Sequence, residues 1–139
     1  MVSIEQGARV YLDANVVIYL IEAFPEYYER VEAVLRAVVA ADAVLVSSEL
    51  TLAEVLVQPL RQEQAAIAQA YDAFLTGGEV ELVPIDRTIL RQAAALRAET
   101  RMKLPDALHI ASAVASWCSW VVSHDVGLRL PAGLMRLPM

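Results

Sequence analysis

The chain has 139 residues, 58% of them hydrophobic, and a formal net charge of −6, which fits one compact domain over residues 1–139 with a substantial core and little room for a second. Its most apolar stretch, residues 33–46, is broken by Arg36 and Asp42 well short of bilayer length, and Glu5 and Arg9 interrupt the run a secretory signal needs, so no membrane span is expected and the cytoplasm is the expected compartment. Cys118 is the only cysteine, which excludes an internal disulfide and a cysteine-rich metal site.

Taken in chain order, residues 9–13 form a short run rich in Val, Tyr and Leu that reads as a buried strand. The period then turns helical over 16–23 and stops at Pro25. A second helix is predicted over 26–41, with Val31, Val34, Leu35 and Val38 on one face. Residues 43–47 read as a strand, 49–57 as a helix ending before Pro59, and 62–76 as a helix halted by Gly77 and Gly78. A third strand is predicted over 80–85, and a helix over 87–100 with Asp86 as its N-cap. Pro105 opens a further helix over 105–117, and 120–123 is the fourth strand. Strands alternating with helices of this length imply an α/β three-layer sandwich around a central, mainly parallel sheet of four or five strands. In such a sheet the ligand crevice lies outside the carboxyl ends of the strands, where strand order reverses. Asp13 ends the first strand and Asp125 follows the fourth, so both carboxylates could meet there.

Charge is segregated along the chain. Residues 1–81 carry thirteen acids against four bases, whereas 82–139 carry seven bases against four acids. Arg87, Arg91, Arg97, Arg101 and Lys103 fall within seventeen residues, opposed there only by Glu99. A helix at this spacing presents several of them together, as a contact for a phosphate backbone or as an ordinary solvated face. The large apolar fraction exceeds what one small core consumes, which suggests a covered surface and an oligomer.

Four acids recur at strand ends or early on the helices that follow. Asp13 could be a turn residue. Glu54 stands three residues after Thr51, the spacing of a capping box. Asp106 lies in the first turn of a helix, where the macrodipole favours a negative charge. Asp125, before Val126 and Gly127, could mark another turn. Taken together they could face one rim. Carboxylates within about 4 Å of each other repel by roughly 4 kcal/mol per pair at an effective dielectric near 20, so such a cluster needs a cation or a shared proton. Oxygen donors of this kind suit Mg2+ or Mn2+ and not zinc. An ion so held activates water and stabilises charge on a phosphoryl oxygen, which makes phosphodiester hydrolysis the natural reaction. Asn15 is placed to orient Asp13. His109, one helical turn after Asp106, is read as a packed histidine able to support that carboxylate. A phosphatase using Asp13 as nucleophile wants a second acid two residues on, and Asn15 occupies that place. A non-catalytic interaction module, its acids capping helices, is the other alternative.

With their neighbours these residues resemble the PIN-domain family, and within it the VapC-type toxin ribonucleases of toxin–antitoxin pairs. Tyr11-Leu-Asp-Ala-Asn-Val-Val-Ile-Tyr19 resembles the first motif and Ser47-Ser-Glu-Leu-Thr-Leu-Ala-Glu-Val55 the second. Leu104-Pro-Asp-Ala-Leu-His-Ile-Ala-Ser-Ala113 resembles the third and Val121-Val-Ser-His-Asp125 the fourth. The resemblance spans nearly the whole chain. It implies that Asp13, Glu54, Asp106 and Asp125 are the acidic catalytic and metal-site residues, with Asn15 and Ser123 as polar supports. It also implies Mg2+ or Mn2+ dependence, RNA cleavage, a homodimer, and a small antitoxin that occupies the site.

Overall fold

The computed structural model describes residues 3–123 and 128–139. Among them, five strands and six helices alternate: β1 (Arg9–Leu12), α1 (Ala14–Ile21), α2 (Tyr28–Ala40), β2 (Val44–Ser48), α3 (Glu49–Arg61), α4 (Ala65–Thr76), β3 (Val80–Val83), α5 (Arg87–Glu99), α6 (Leu104–Ala115), β4 (Trp120–Val122) and β5 (Met135–Leu137). The sheet is parallel throughout, in the order β3-β2-β1-β4-β5. The first connections build outward from β1 in one direction; β4 then pairs with the other side of β1, Val10 opposite Trp120 and Leu12 opposite Val122. Strand order therefore reverses between β1 and β4, and a crevice opens at the carboxyl ends of those two strands.

Side-chain alternation along the strands fills two cores. Val10 and Leu12 of β1 point with Trp120 and Val122 of β4 into one layer, packed on Val16, Val17, Val31, Val38, Val55, Tyr71 and Leu75 from α1–α4. Tyr11, Val46 and Val121 point the other way, against Ile110 and Ala113 of α6. Ile89 and Ala93 of α5 meet Ala107, Leu108 and Ala111 of α6 in a satellite cluster beyond. The result is the expected helix–sheet–helix sandwich, five strands wide.

Three local expectations differ. The third helix does not stop before Pro59: α3 continues to Arg61 with Pro59 inside it. The proline is buried, and the backbone bonds resume beyond it, Gln62 N donating to Gln58 O at 3.0 Å and Gln64 N to Pro59 O at 2.8 Å. Thr51 is not the first residue of a capping box, because α3 starts earlier, after Ser48. Its hydroxyl is fully buried, with Ser47 Oγ 2.8 Å from it and 2.8 Å from the Leu12 carbonyl, so that Ser47 ties β1, β2 and α3 together. The fifth strand, Met135–Leu137, has no counterpart in the four predicted runs. The N-cap at Asp86 is as expected, its Oδ1 accepting from Ile89 N at 2.9 Å.

Cys118 is buried, and burial pushes its thiol up to about 12, with nearby Arg9 opposing the shift. A group protonated more tightly in the folded chain than at its ordinary 9.0 contributes stability present below pH 9 and lost as pH rises towards 12. Folded protein is expected to resist iodoacetamide and to react once unfolded in urea, and its unfolding midpoint to fall between pH 9 and 12; mass spectrometry of the alkylated chain and denaturation at stepped pH check both. Leu75→Ala, at a site with no exposure, should cost about 2–5 kcal/mol in urea unfolding with an unchanged m-value.

Candidate active site

The loop from β1 into α1 is a single residue. Asp13 takes extended backbone angles (φ −80°, ψ 173°) and caps α1, its Oδ1 accepting from Val16 N at 3.0 Å. This satisfies an otherwise orphaned helix donor and anchors the carboxylate at the strand's carboxyl end. Asn15 follows in the first turn of α1. Glu54 comes from the middle of α3, and Asp106 from the first turn of α6, which opens with Pro105 at its start. These side chains, with Ala14, His109, Ile110 and Val121, line one small cleft of about 90 Å³ at the β1–β4 crevice. No lysine or arginine lines it among the described residues.

Three of the four predicted acids therefore share one cavity. Asp125, the fourth, and its neighbour His124 lie outside the described residues. Ser123 follows β4 as a buried residue, its carbonyl accepting from the Arg136 guanidinium at 2.9 Å, and it is not among the residues lining the cleft. His109 does line the cleft, but it does not serve Asp106: its Nε2 lies 2.6 Å from Glu54 Oε1, while its Nδ1 lies 2.7 Å from the Tyr11 hydroxyl. The i to i+3 spacing on α6 places His109 beside Asp106 along one helix; the neighbouring α3 supplies the closer carboxylate.

The acids share a cavity without forming a ready-made cage. Among the described residues, no three His, Cys, Asp or Glu side chains are grouped closely enough to hold a metal as they stand. Like charges stand apart when nothing neutralises them, and here Asp13 is bonded to the α1 amide and Glu54 to His109, while Asp106 lies at the positive end of α6. The donor set itself fits a hard divalent cation, being carboxylate and amide oxygens with no competing ammonium or guanidinium among the described lining residues.

A second, wider groove of about 750 Å³ adjoins the cleft, with Asp106 and Leu128 on the boundary between them. Arg101, Lys103 and Arg129 line it, together with Glu99 and Thr100. Arg87, Arg91 and Arg97 ride along α5 and are not among the groove's lining residues. Arg97 Nε donates instead to the Met102 carbonyl at 3.2 Å, which braces the segment carrying Arg101 and Lys103. The five-residue basic run thus divides into two side chains in the groove and three outside it. Arg129, distant in sequence from that run, joins the groove through the fold.

Two further residues at the site, Tyr11 and Arg129, are brought there by tertiary packing. Tyr11 is fully buried and its hydroxyl contacts both Ser48 Oγ, at 2.9 Å, and His109. Burial raises its ionisation far above the ordinary range, so the phenol keeps its proton. A polar-tipped aromatic in an otherwise aliphatic strand was the available clue. Arg129 had none, since its neighbours Leu128 and Leu130 are apolar.

A family model described as PIN domain matches residues 10–134. The sequence matches no curated protein. Among solved structures, the chain is similar to VapBC2 from Rickettsia felis bound to a DNA fragment from its promoter, at 19% identity and a TM-score of 0.72, covering 94% of this chain and 98% of that one. A toxin–antitoxin complex from Klebsiella pneumoniae is 23% identical with a TM-score of 0.66, covering 90% of this chain and 94% of the other. VapC20 from Mycobacterium tuberculosis, described as a sarcin–ricin loop cleaving toxin, is 16% identical with a TM-score of 0.67, covering 84% and 91%. At these identities the similarity carries the fold.

Proposed function

From the premise that this chain belongs to the PIN domain family, we propose that it is a divalent-metal-dependent endoribonuclease, the toxin of a VapC-type toxin–antitoxin pair. The observation that carries this reading is the convergence of Asp13, Glu54 and Asp106 on one cleft at the sheet's switch point, beside a groove lined by Arg101, Lys103 and Arg129. Asp13, Glu54 and Asp106, with Asp125 added by the family resemblance, would hold Mg2+ or Mn2+. The ion, when bound, lowers the pKa of a water and stabilises charge on the phosphoryl oxygen.

The protein's own side chains divide the remaining work. Arg101, Lys103 and Arg129 hold the RNA backbone through its phosphates, a contact that gives affinity without reading sequence. The cleft, about 90 Å³, is small beside the groove that adjoins it. Asn15 and His109 orient the carboxylates beside them, and Ser123 supports the end of β4. Arg87, Arg91 and Arg97 extend the positive face along α5, outside the groove.

The partner assignments belong to the same proposal. Two of the similar solved structures are toxin–antitoxin complexes, which supports a cognate antitoxin for this chain. Val39, Leu60 and Trp117 are 76%, 64% and 85% exposed, apolar surface that suits contact with a second copy and with that antitoxin. Among the described residues no helix is long and apolar enough to cross a membrane; a single nuclease domain acting on RNA in the cytoplasm is the compartment and organisation proposed. A non-catalytic interaction module draws support from one observation, the capping bond of Asp13, since that carboxylate already has a structural use.

Asp13→Asn separates the two readings, because asparagine retains an Oδ1 to accept from Val16 N while losing the charge. Stability is expected to change by less than about 1 kcal/mol, whereas RNA cleavage in Mg2+ or Mn2+ should fall at least about 100-fold; equal cleavage by the variant, or cleavage persisting in chelator, would remove the nuclease reading. Arg101→Ala with Lys103→Ala should weaken binding of an RNA oligonucleotide and reduce the slope of log affinity against log salt by about 1 to 2, measured by fluorescence anisotropy across a salt series.

A further inference from the structure

Glu54 reaches the cleft from the middle of a helix, with no local backbone cap to fix its carboxylate. What fixes it is a chain of side chains that crosses the domain's interior. Ser48 Oγ, at the junction of β2 and α3, lies 2.9 Å from the Tyr11 hydroxyl on β1; that hydroxyl lies 2.7 Å from His109 Nδ1 on α6; His109 Nε2 lies 2.6 Å from Glu54 Oε1 back on α3. Tyr11 and Ser48 have no exposure and His109 has 8%. The two rings meet edge-on, with centroids 5.7 Å apart and planes at 62°.

Proton counting makes this chain directional. An ionised carboxylate only accepts, so the Nε2 facing Glu54 must carry a hydrogen. In the neutral ring Nδ1 is then the acceptor, and the Tyr11 hydroxyl is the donor within reach. The phenol has one proton, and once that proton is given to Nδ1 the 2.9 Å Tyr11–Ser48 contact is left to the rotatable Ser48 hydroxyl as donor. Replacing the phenol by a hydrocarbon leaves Nδ1 without that donor, and the ring is then free to take the other tautomer, which presents a bare lone pair to the carboxylate. Buried polar groups joined in this way hold one geometry because every alternative leaves a group unsatisfied. Among the described residues no buried side-chain nitrogen or oxygen lacks a partner.

We propose that Tyr11 and His109 are positioning residues for Glu54: Ser48 and Tyr11 set the ring's tautomer and tilt, and His109 Nε2–H then aims the carboxylate into the cleft before cation and RNA arrive. This inference rests on the nuclease reading, since it gives Glu54 a partner to be aimed at. It makes Tyr11 functional although Tyr11 does not line the cleft. A merely structural bond between β1 and α6 would change stability alone; a positioning role changes what Glu54 does.

The test uses the full chain and Mn2+ alone, followed by electron paramagnetic resonance of the free ion, with kcat and KM on an RNA oligonucleotide and thermal melting alongside. Glu54→Gln is the reference. His109→Leu is expected to weaken Mn2+ binding about 10- to 100-fold and to lower kcat, with KM for RNA within about twofold of wild type. Tyr11→Phe, which preserves the buried ring, should shift both readouts in the same direction by a smaller factor. His109→Gln keeps an amide N–H towards Glu54 and should recover most of the loss seen with leucine. Should His109→Leu fail to fold, Tyr11→Phe and His109→Gln decide the matter. Lowered melting with wild-type Mn2+ affinity and kcat in Tyr11→Phe and His109→Leu would overturn the positioning role while leaving the nuclease reading intact. Wild-type protein whose Mn2+ binding is absent or indifferent to Glu54→Gln would overturn both.

Discussion

Carboxylates brought to one end of a parallel sheet repel each other, by roughly 4 kcal/mol for a pair 4 Å apart at an effective dielectric near 20, and that repulsion must be answered before the fold can place them there. In this protein the answer is local to each acid. Asp13 is held by the amide of Val16 and Glu54 by the His109 ring, while Asp106 stands in the first turn of α6, where the helix macrodipole favours its charge. Three negative groups thus line one cavity of about 90 Å³. The cost of gathering them is thereby spread over three helices, each tied to the core through its own apolar face.

The geometry of the sheet decides which residues take part. Because β4 returns to the far side of β1, the ends of those two strands border a crevice that neither the β1–β2 nor the β4–β5 pairing closes. Asp13, Glu54 and Asp106 line that crevice, and Arg101, Lys103 and Arg129 line the groove beside it. Asp13 reaches it by following β1 directly, Asp106 by opening α6, and Glu54 by standing on the α3 helix that β2 feeds. The buried phenol of Tyr11 links the layers behind it, so the site's floor and the core on the α6 side are one structure.

How much of this was legible in the sequence depended on how local the cause was. The four longer apolar runs and most helix limits follow from periodicity within a short window, and the Asp86 cap from a single residue pair. β5 was invisible because its three residues, Met135–Leu137, with only Leu137 buried, carry no alternation to read. Pro59 misled because a helix's end is usually dictated by proline, whereas burial and the bonds on either side carry α3 past it. The Thr51–Glu54 spacing imitated a capping box that the true helix start at Ser48 rules out. The membership of the site, spread over α1, α3 and α6, came from the joint pattern of acids at element ends. The His109–Glu54 contact joins residues 55 apart in sequence, and the entry of Arg129 into the groove likewise depends on tertiary packing that no window contains.

That Asp13, Glu54 and Asp106 together hold a divalent cation is a proposal, and its most direct test is to locate the ion. Crystals grown or soaked in millimolar Mn2+ and measured at a wavelength sensitive to manganese give an anomalous map that needs no activity. A peak is expected within ligand distance, about 2.0–2.3 Å, of oxygens from Asp13 and Asp106, with Glu54 still on its histidine or turned towards the ion. A map with no peak in the cleft at saturating Mn2+, or with manganese bound only elsewhere on the surface, would contradict it.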